Sequence, residues 1–223
     1  MSFFPTQKSG DTVIVTLTNA PRNTLSSELL DEGISVFEKL AQDNPKGGVV
    51  LTGAGEHFTC GMDTKIAASL DEAGQKRAIA AINAYAASLH RLPCALVCAV
   101  NGNAIGAGGI MMLCADWIYA ASGHYKIGLP EAKAGLPFPP VPQAILDHWL
   151  EPSWRRRLAL SSMLLKPNEA IGAGLVEATL MPGDLLEKSV AKAHELNAQP
   201  GFAACKRQLR AKANAEIDAI LHG

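Results

Sequence analysis

Three short stretches carry residues whose types and spacing could do chemistry. The first is residues 100–112, Val-Asn-Gly-Asn-Ala-Ile-Gly-Ala-Gly-Gly-Ile-Met-Met, a glycine run between two apolar segments. An apolar run that ends in glycines and re-enters helix-compatible sequence reads as strand, tight turn and buried helix. Such a turn leaves backbone N–H groups unpaired at a helix N-terminus, facing whatever small acceptor lies in front of them. A turn needed only for close helix-to-strand packing is the other reading. The second stretch is residues 53–63, Gly-Ala-Gly-Glu-His-Phe-Thr-Cys-Gly-Met-Asp, one structural unit earlier. If the strands before both stretches are parallel, both loops open on one edge of the core, and one N–H from each could hold a single carbonyl oxygen. The third is Glu131, set between Leu129-Pro130 and Ala132. An apolar surrounding would desolvate its carboxyl and raise its pKa, whereas a surface or salt-bridged glutamate would do no chemistry.

The glycine spacing excludes two other uses. A phosphate-cradling loop needs Lys and then Ser or Thr after its last glycine, but Ile110 and Met111 follow Gly109. The dinucleotide fingerprint needs glycines at the first, third and sixth positions, which Gly102, Gly106, Gly108 and Gly109 do not supply. A formal net charge of −1 gives no basic stripe for nucleic acid and no polybasic patch for a membrane. The expected partner is a small molecule. The amino terminus has no signal-peptide pattern, and no apolar run reaches the ~18 residues of a membrane span. Cys60, Cys94, Cys98, Cys114 and Cys205 are odd in number, sit mostly among apolar neighbours and lack metal spacing, as expected of reduced thiols in the cytoplasm. The histidines at 57, 90, 124, 148, 194 and 222 show no close ligand spacing either, so no metal is expected.

The elements that must position these groups follow an α/β order. Strands are expected at residues 12–17, 48–52, 95–100, 116–120 and 126–128, and helices from Ser26 or Ser27 to about 42 and from about 71 to 90. Residues 129–142 carry five prolines, too many for a regular element, and should form a shaped loop. A basic helix is expected from Pro152 and Ser153 through Arg157, presenting a solvated face. A short one follows from Pro167 to about Gly174, then two terminal helices at 184–199 and 202–221. Asp116, close to the core, is expected to make structural hydrogen bonds. With 48% hydrophobic residues in 223, a sizeable core is available. No repeat or linker divides the sequence.

At this point the chain resembles a family. Gly53-x-Gly55-x-x-Phe58-x-x-Gly61-x-Asp63, then Ala99-Val100-Asn101-Gly102-x-Ala104-x-Gly106-x-Gly108, then Cys114-Ala115-Asp116, then Gly128-x-Pro130-Glu131-x-x-x-Gly135, look like the crotonase, or enoyl-CoA hydratase/isomerase, superfamily. Glu169-Ala170-x-x-x-Gly174-Leu175-Val176 is similar to its pattern as well. The resemblance implies a superhelix of ββα repeats over residues 1–195. A helical segment, 196–223, follows and is shorter than is usual in the family. It also implies homotrimers or dimers of trimers, and an acyl-CoA thioester as partner, with coenzyme A part of the substrate and no separate cofactor.

Carried over by motif, the two oxyanion-holding N–H groups belong to Met62 and Ala107. The family usually has glycine at the second position, but alanine still donates its N–H. The substrate-contacting set the resemblance implies is Cys60, Gly61, Asp63, Thr64, Lys65, Gly106, Gly108, Ile110, Leu136 and Phe138, with Asp63 ordering the loop around Met62. Hydratases of the family carry two glutamates, one in the helix after the glycine run and one in the Pro-Glu motif. Here the first position falls on Ile110 and the second is Glu131. Adding water across a double bond is work shared by two carboxylates, whereas moving a double bond needs one base that takes a proton from C2 and returns it at C4. The expectation is therefore an enoyl-CoA isomerase. A one-glutamate hydratase, a thioester hydrolase and a weakly catalytic acyl-CoA-binding subunit stand as alternatives. The segment Leu136-Pro137-Phe138-Pro139-Pro140-Val141-Pro142 departs from the family pattern and should line the acyl pocket.

Overall fold

Valine, leucine, isoleucine and cysteine fill β2 (Thr12–Leu17), β3 (Val49–Gly53) and β5 (Leu96–Val100), and β5 is buried along its whole length. Runs of this kind, apolar at successive positions, mark strands of a parallel sheet covered on both faces. The computed structural model describes residues 2–63 and 69–223. Thr64 and Lys65 lie outside the described residues. The larger sheet has six strands in the order β1-β2-β3-β5-β7-β10, with β1 (Thr6–Ser9), β7 (Trp117–Ala121) and β10 (Ala178–Leu180) completing it. Only β1 runs antiparallel to its neighbour, at the edge. Register aligns Val15 with Leu51 and Leu51 with Cys98.

A smaller sheet joins β4 (His57–Thr59), β6 (Asn103–Ile105), β8 (Ile127–Gly128) and β9 (Leu164–Leu165) in that order. Each repeat sends one strand into the large sheet, one into the small sheet and then a helix. Thus β3 and β4 lead to α2 (Glu72–His90), β5 and β6 to α3 (Ala107–Leu113), and β7 and β8 to α4 (Glu131–Ala134). This is the expected ββα superhelix. Because β4, β6 and β8 pair in parallel, the loops leaving them open on one edge, which brings the two glycine loops and Glu131 together.

Local signals set the helix ends. The Ser26 hydroxyl accepts from Leu29 N at 3.3 Å to start α1 (Ser27–Asp43), and Asp71 accepts from Gly74 N at 2.7 Å to start α2. The proline-rich stretch corrects the expectation of a loop throughout. α4 begins directly after Pro130, and α5 (Pro140–Trp149) begins inside the stretch. Pro140 and Pro142 stand in the first turn of α5, where a helix has no intrahelical acceptor for its N–H groups, so a missing donor costs nothing. The N–H of Val141 between them donates to Asn83 Oδ1 at 3.0 Å. The glycine run differs too, since it contributes β6 before its helix.

The basic segment forms a single turn, α6 (Pro152–Arg155), and continues as a π-helical turn over Arg156–Leu160. It is not simply a solvated face: Arg155 pairs with Asp147 at 2.7 Å and Arg157 stacks on Trp154. α7 (Pro167–Gly172) and α8 (Leu185–Asn197) follow, and α8 helps cover the outer face of the large sheet over Ile14, Val50 and Val97. The last helix, α9 (Phe202–His222), lies against α5 and the end of α2. Four cysteines are fully or partly buried and Cys205 is exposed.

Candidate active site

The loops at the edge of the small sheet close around a cavity of about 760 Å³. Its walls come from α2, α3, the two glycine loops and the proline-rich segment, with Leu25 and, from α1, Leu30. On α2 the lining residues Ala78, Ile82, Tyr85 and Leu89 recur at helical spacing, and on α3 Ala107, Ile110, Met111 and Cys114 do the same. The lining is overwhelmingly apolar.

Glycine is required at two points of this edge. Gly61 has φ +75°, and a Cβ there would stand 2.7 Å from Ile105 O and 3.3 Å from Ala107 N. The Gly61-Met62 peptide therefore lies directly beside the start of α3. Gly106 has φ +59° and ψ −118°, a combination open to glycine. A Cβ on it would meet Glu131 Oε1 at 3.3 Å, so the carboxyl sits over the turn that delivers the Ala107 N–H. Ala107 is the first residue of α3, where an N–H has no acceptor within the helix. The bridge between Leu25 and Met62 uses the Leu25 N–H and the Gly61 carbonyl, at 2.9 Å, and leaves the Met62 N–H aside.

Glu131 is held by the first turn of α4, and the N–H of Lys133 donates to Ser162 Oγ at 3.1 Å to tie that turn to the segment after the π-helix. Among the described residues, Glu131 Oε2 is buried without a hydrogen-bond partner. Burial pushes the carboxyl up to about 7, offset a little by a backbone hydrogen bond. Glu131 is also the one carboxylate among the described residues that line the cavity. Two N–H groups without an acceptor among the described residues, beside a desolvated carboxyl, can polarise a carbonyl oxygen and move a proton on the adjoining carbon.

Of the residues singled out in the sequence, Cys60, Gly61, Met62, Gly106, Ala107, Ile110, Glu131, Leu136 and Phe138 line the cavity together. Gly108 stands behind the wall, where a Cβ would press on Thr59 at 2.9 Å, and Asp63 is not among the lining residues. The Ile110 side chain, 4% exposed, is part of the cavity wall. Sequence reasoning missed the α2 wall, including Tyr85 and Leu89. Its signal was present in the apolar positions 78, 82, 85, 86 and 89 of an alanine-rich helix.

A second cluster lies behind the cavity. Asp116 accepts from Lys206 Nζ at 2.6 Å, Arg210 Nη2 at 2.7 Å and Leu96 N at 2.8 Å. Arg210 also donates to the carbonyls of His90 and Ala115, which end α2 and follow α3. Burial lowers Lys206 to about 8 against the opposing pull of Asp116, and lowers the neighbouring His90 to about 3. Among the described residues no cluster of histidine, cysteine and carboxylate groups could hold a metal ion, and no helix is long and apolar enough to cross a membrane.

Comparison with known proteins points the same way. A family model described as enoyl-CoA hydratase/isomerase matches residues 7–222. Enoyl-CoA delta isomerase 3 of Arabidopsis thaliana is 28% identical over 177 residues, covering 77% of this chain and 74% of its own length. The probable enoyl-CoA hydratase echA17 of Mycobacterium avium is 29% identical over 204 residues, covering 90% and 75%. Among solved structures, the human mitochondrial delta3-delta2-enoyl-CoA isomerase superposes with a TM-score of 0.88 at 22% identity, over 99% of this chain and 91% of that one. The enoyl-CoA hydratase EchA3 of Mycobacterium ulcerans superposes with 0.90 at 22% identity, over 100% and 97%. The structural likenesses show the fold.

Proposed function

The chain belongs to the enoyl-CoA hydratase/isomerase family, and from that premise we propose that it isomerises 3-enoyl-CoA to 2-enoyl-CoA through a thioester enolate. The observation that carries this reading is that Glu131 is the one carboxylate among the described residues lining the cavity. Glu131 takes a proton from C2 as the C2–H electron pair moves into the thioester, whose oxygen becomes the enolate held by the N–H groups of Met62 and Ala107. The pair then returns through the C2–C3 bond, the old C3–C4 double bond opens toward C4, and Glu131 gives the same proton to C4. Atoms and charge balance without water. A carboxyl with a pKa near 7 is suited to both halves of this exchange, since it is a base strong enough to accept and an acid strong enough to release.

Cys60, Gly61 and Met62, together with Asp63, Thr64 and Lys65 that follow them in sequence, would carry the coenzyme A moiety, while Ile110, Leu136 and Phe138 face the acyl chain. Coenzyme A enters as part of the substrate. We place the protein in the cytoplasm and expect a trimer or a pair of trimers. Incubation with 3-enoyl-CoA should yield 2-enoyl-CoA, with the thioester intact and no hydroxyacyl product, and Glu131→Gln should slow this about a thousandfold. Release of free coenzyme A would replace this reading with thioester hydrolysis, and accumulation of a 3-hydroxyacyl product with hydration.

A further inference from the structure

The cavity changes character from one end to the other. Along the α2 stripe Gln75 is exposed and Ile79 is 42% exposed, whereas Tyr85, Ala86 and Leu89 are buried, Leu89 completely. Along α3, Ala107 is half-buried and Cys114 completely buried. The two helices converge toward the buried end, where Tyr85 Oη meets Met111 Sδ at 3.9 Å and the Cys114 thiol donates to Ala86 O at 3.6 Å. One residue beyond Leu89 and one beyond Cys114, the guanidinium of Arg210 bridges the carbonyls of His90 and Ala115, itself 2% exposed and covered by Trp149. The lining is thus exposed at Gln75 and Ile79 and buried at Leu89 and Cys114, as it is at Leu25 and Leu30. Behind that end stands a buried guanidinium with hydrogen bonds to two carbonyls and a carboxylate, which an alkyl chain could displace only by breaking them.

The depth follows from helix geometry. From Ala107, whose N–H marks the thioester position under the function proposed above, to Cys114 the α3 wall advances seven residues, about 10 Å at 1.5 Å per residue. An extended chain advances about 1.2 Å per bond, as a backbone does at about 3.6 Å per three bonds, so that depth spans about eight or nine bonds. We propose that this site is a blind acyl channel, floored by Leu89 and Cys114 and stopped by Arg210, that selects unbranched acyl thioesters of about eight to ten carbons. Beyond Glu131 the wall offers no charged group among the described residues, so a terminal carboxylate on the chain would be buried without a partner.

Binding of saturated acyl-CoA thioesters from four to sixteen carbons, measured by titration calorimetry, reads the depth directly. Such thioesters have no double bond to move, so the series stays informative if the isomerase reading fails. A protein that isomerises 3-enoyl-CoA but shows no length break would instead lose only the channel. Affinity should rise about fourfold per added methylene up to eight to ten carbons and then stop rising. A rise that continues to sixteen carbons, or one that ends at four, overturns the proposal. Leu89→Ala should move the break about two carbons longer, and Cys114→Leu about two carbons shorter. A break that stays in place in a folded variant of either kind overturns the assignment of the floor.

Discussion

The carboxyl groups of Asp116 and Glu131 have opposite surroundings. Asp116 is 10% exposed at its side chain and meets two cations and a backbone N–H. Glu131 faces an apolar cavity with one oxygen unpartnered, and burial alone pushes it up to about 7. The first group is spent on structure, since both of its oxygens accept hydrogen bonds, from Leu96 of β5 and from Lys206 and Arg210 of α9. The second is kept available. A buried carboxylate with cationic partners stabilises an arrangement, and one without them is left to exchange a proton, so partner count separates structural acids from chemical ones here.

The largest effect expected from breaking this contrast falls on Glu131. Glu131→Gln preserves shape and removes the proton carrier, so kcat on 3-enoyl-CoA should fall about a thousandfold, while KM changes by a few-fold at most. Steady-state kinetics checks both. A smaller but still large loss is expected at the paired carboxyl. Asp116→Asn leaves Lys206 and Arg210 buried without a counter-charge and should cost about 3 kcal/mol, lowering the melting temperature by about 6–12 °C in calorimetry.

The same contrast predicts opposite signs for stability. Between about pH 4.5 and 7 the folded chain binds more protons at Glu131 than the unfolded chain does, so stability falls as pH rises through that window. Glu131→Gln removes the fall and should be more stable than wild type at pH 8 by about 2–3 kcal/mol, with the difference vanishing toward pH 4.5, as read by denaturant titration at the two pH values. The smallest effect belongs to the partly exposed pair of Arg91 and Asp218, at 2.6 Å. Asp218→Asn should cost less than about 1 kcal/mol by the same titration.

Much of this was legible in the sequence where a local rule governs. Ser26 and Asp71 mark helix starts because their side chains cap, and β2 stands where its apolar run placed it. The glycine loops were readable because only glycine tolerates the backbone at Gly61 and Gly106. Short elements escaped, since β4, β6 and β9 have three or two residues and exist only because neighbours pair with them. α5 escaped because proline content suggested a break, although prolines in a first turn are permissive. The Lys206 and Arg210 cluster escaped for another reason: on a helix that reads as polar, two basic residues look solvated until a distant Asp116 is found beneath them.

The account turns on one carboxyl acting as the proton carrier, and the pH profile of kcat/KM for 3-enoyl-CoA tests it most directly. Wild type should lose about tenfold per pH unit below about pH 7 and reach a plateau above it, with Glu131→Gln flat at a residual rate. A wild-type profile without an inflection between pH 5 and 8, or a Gln variant that retains the wild-type rate and its inflection, would contradict it.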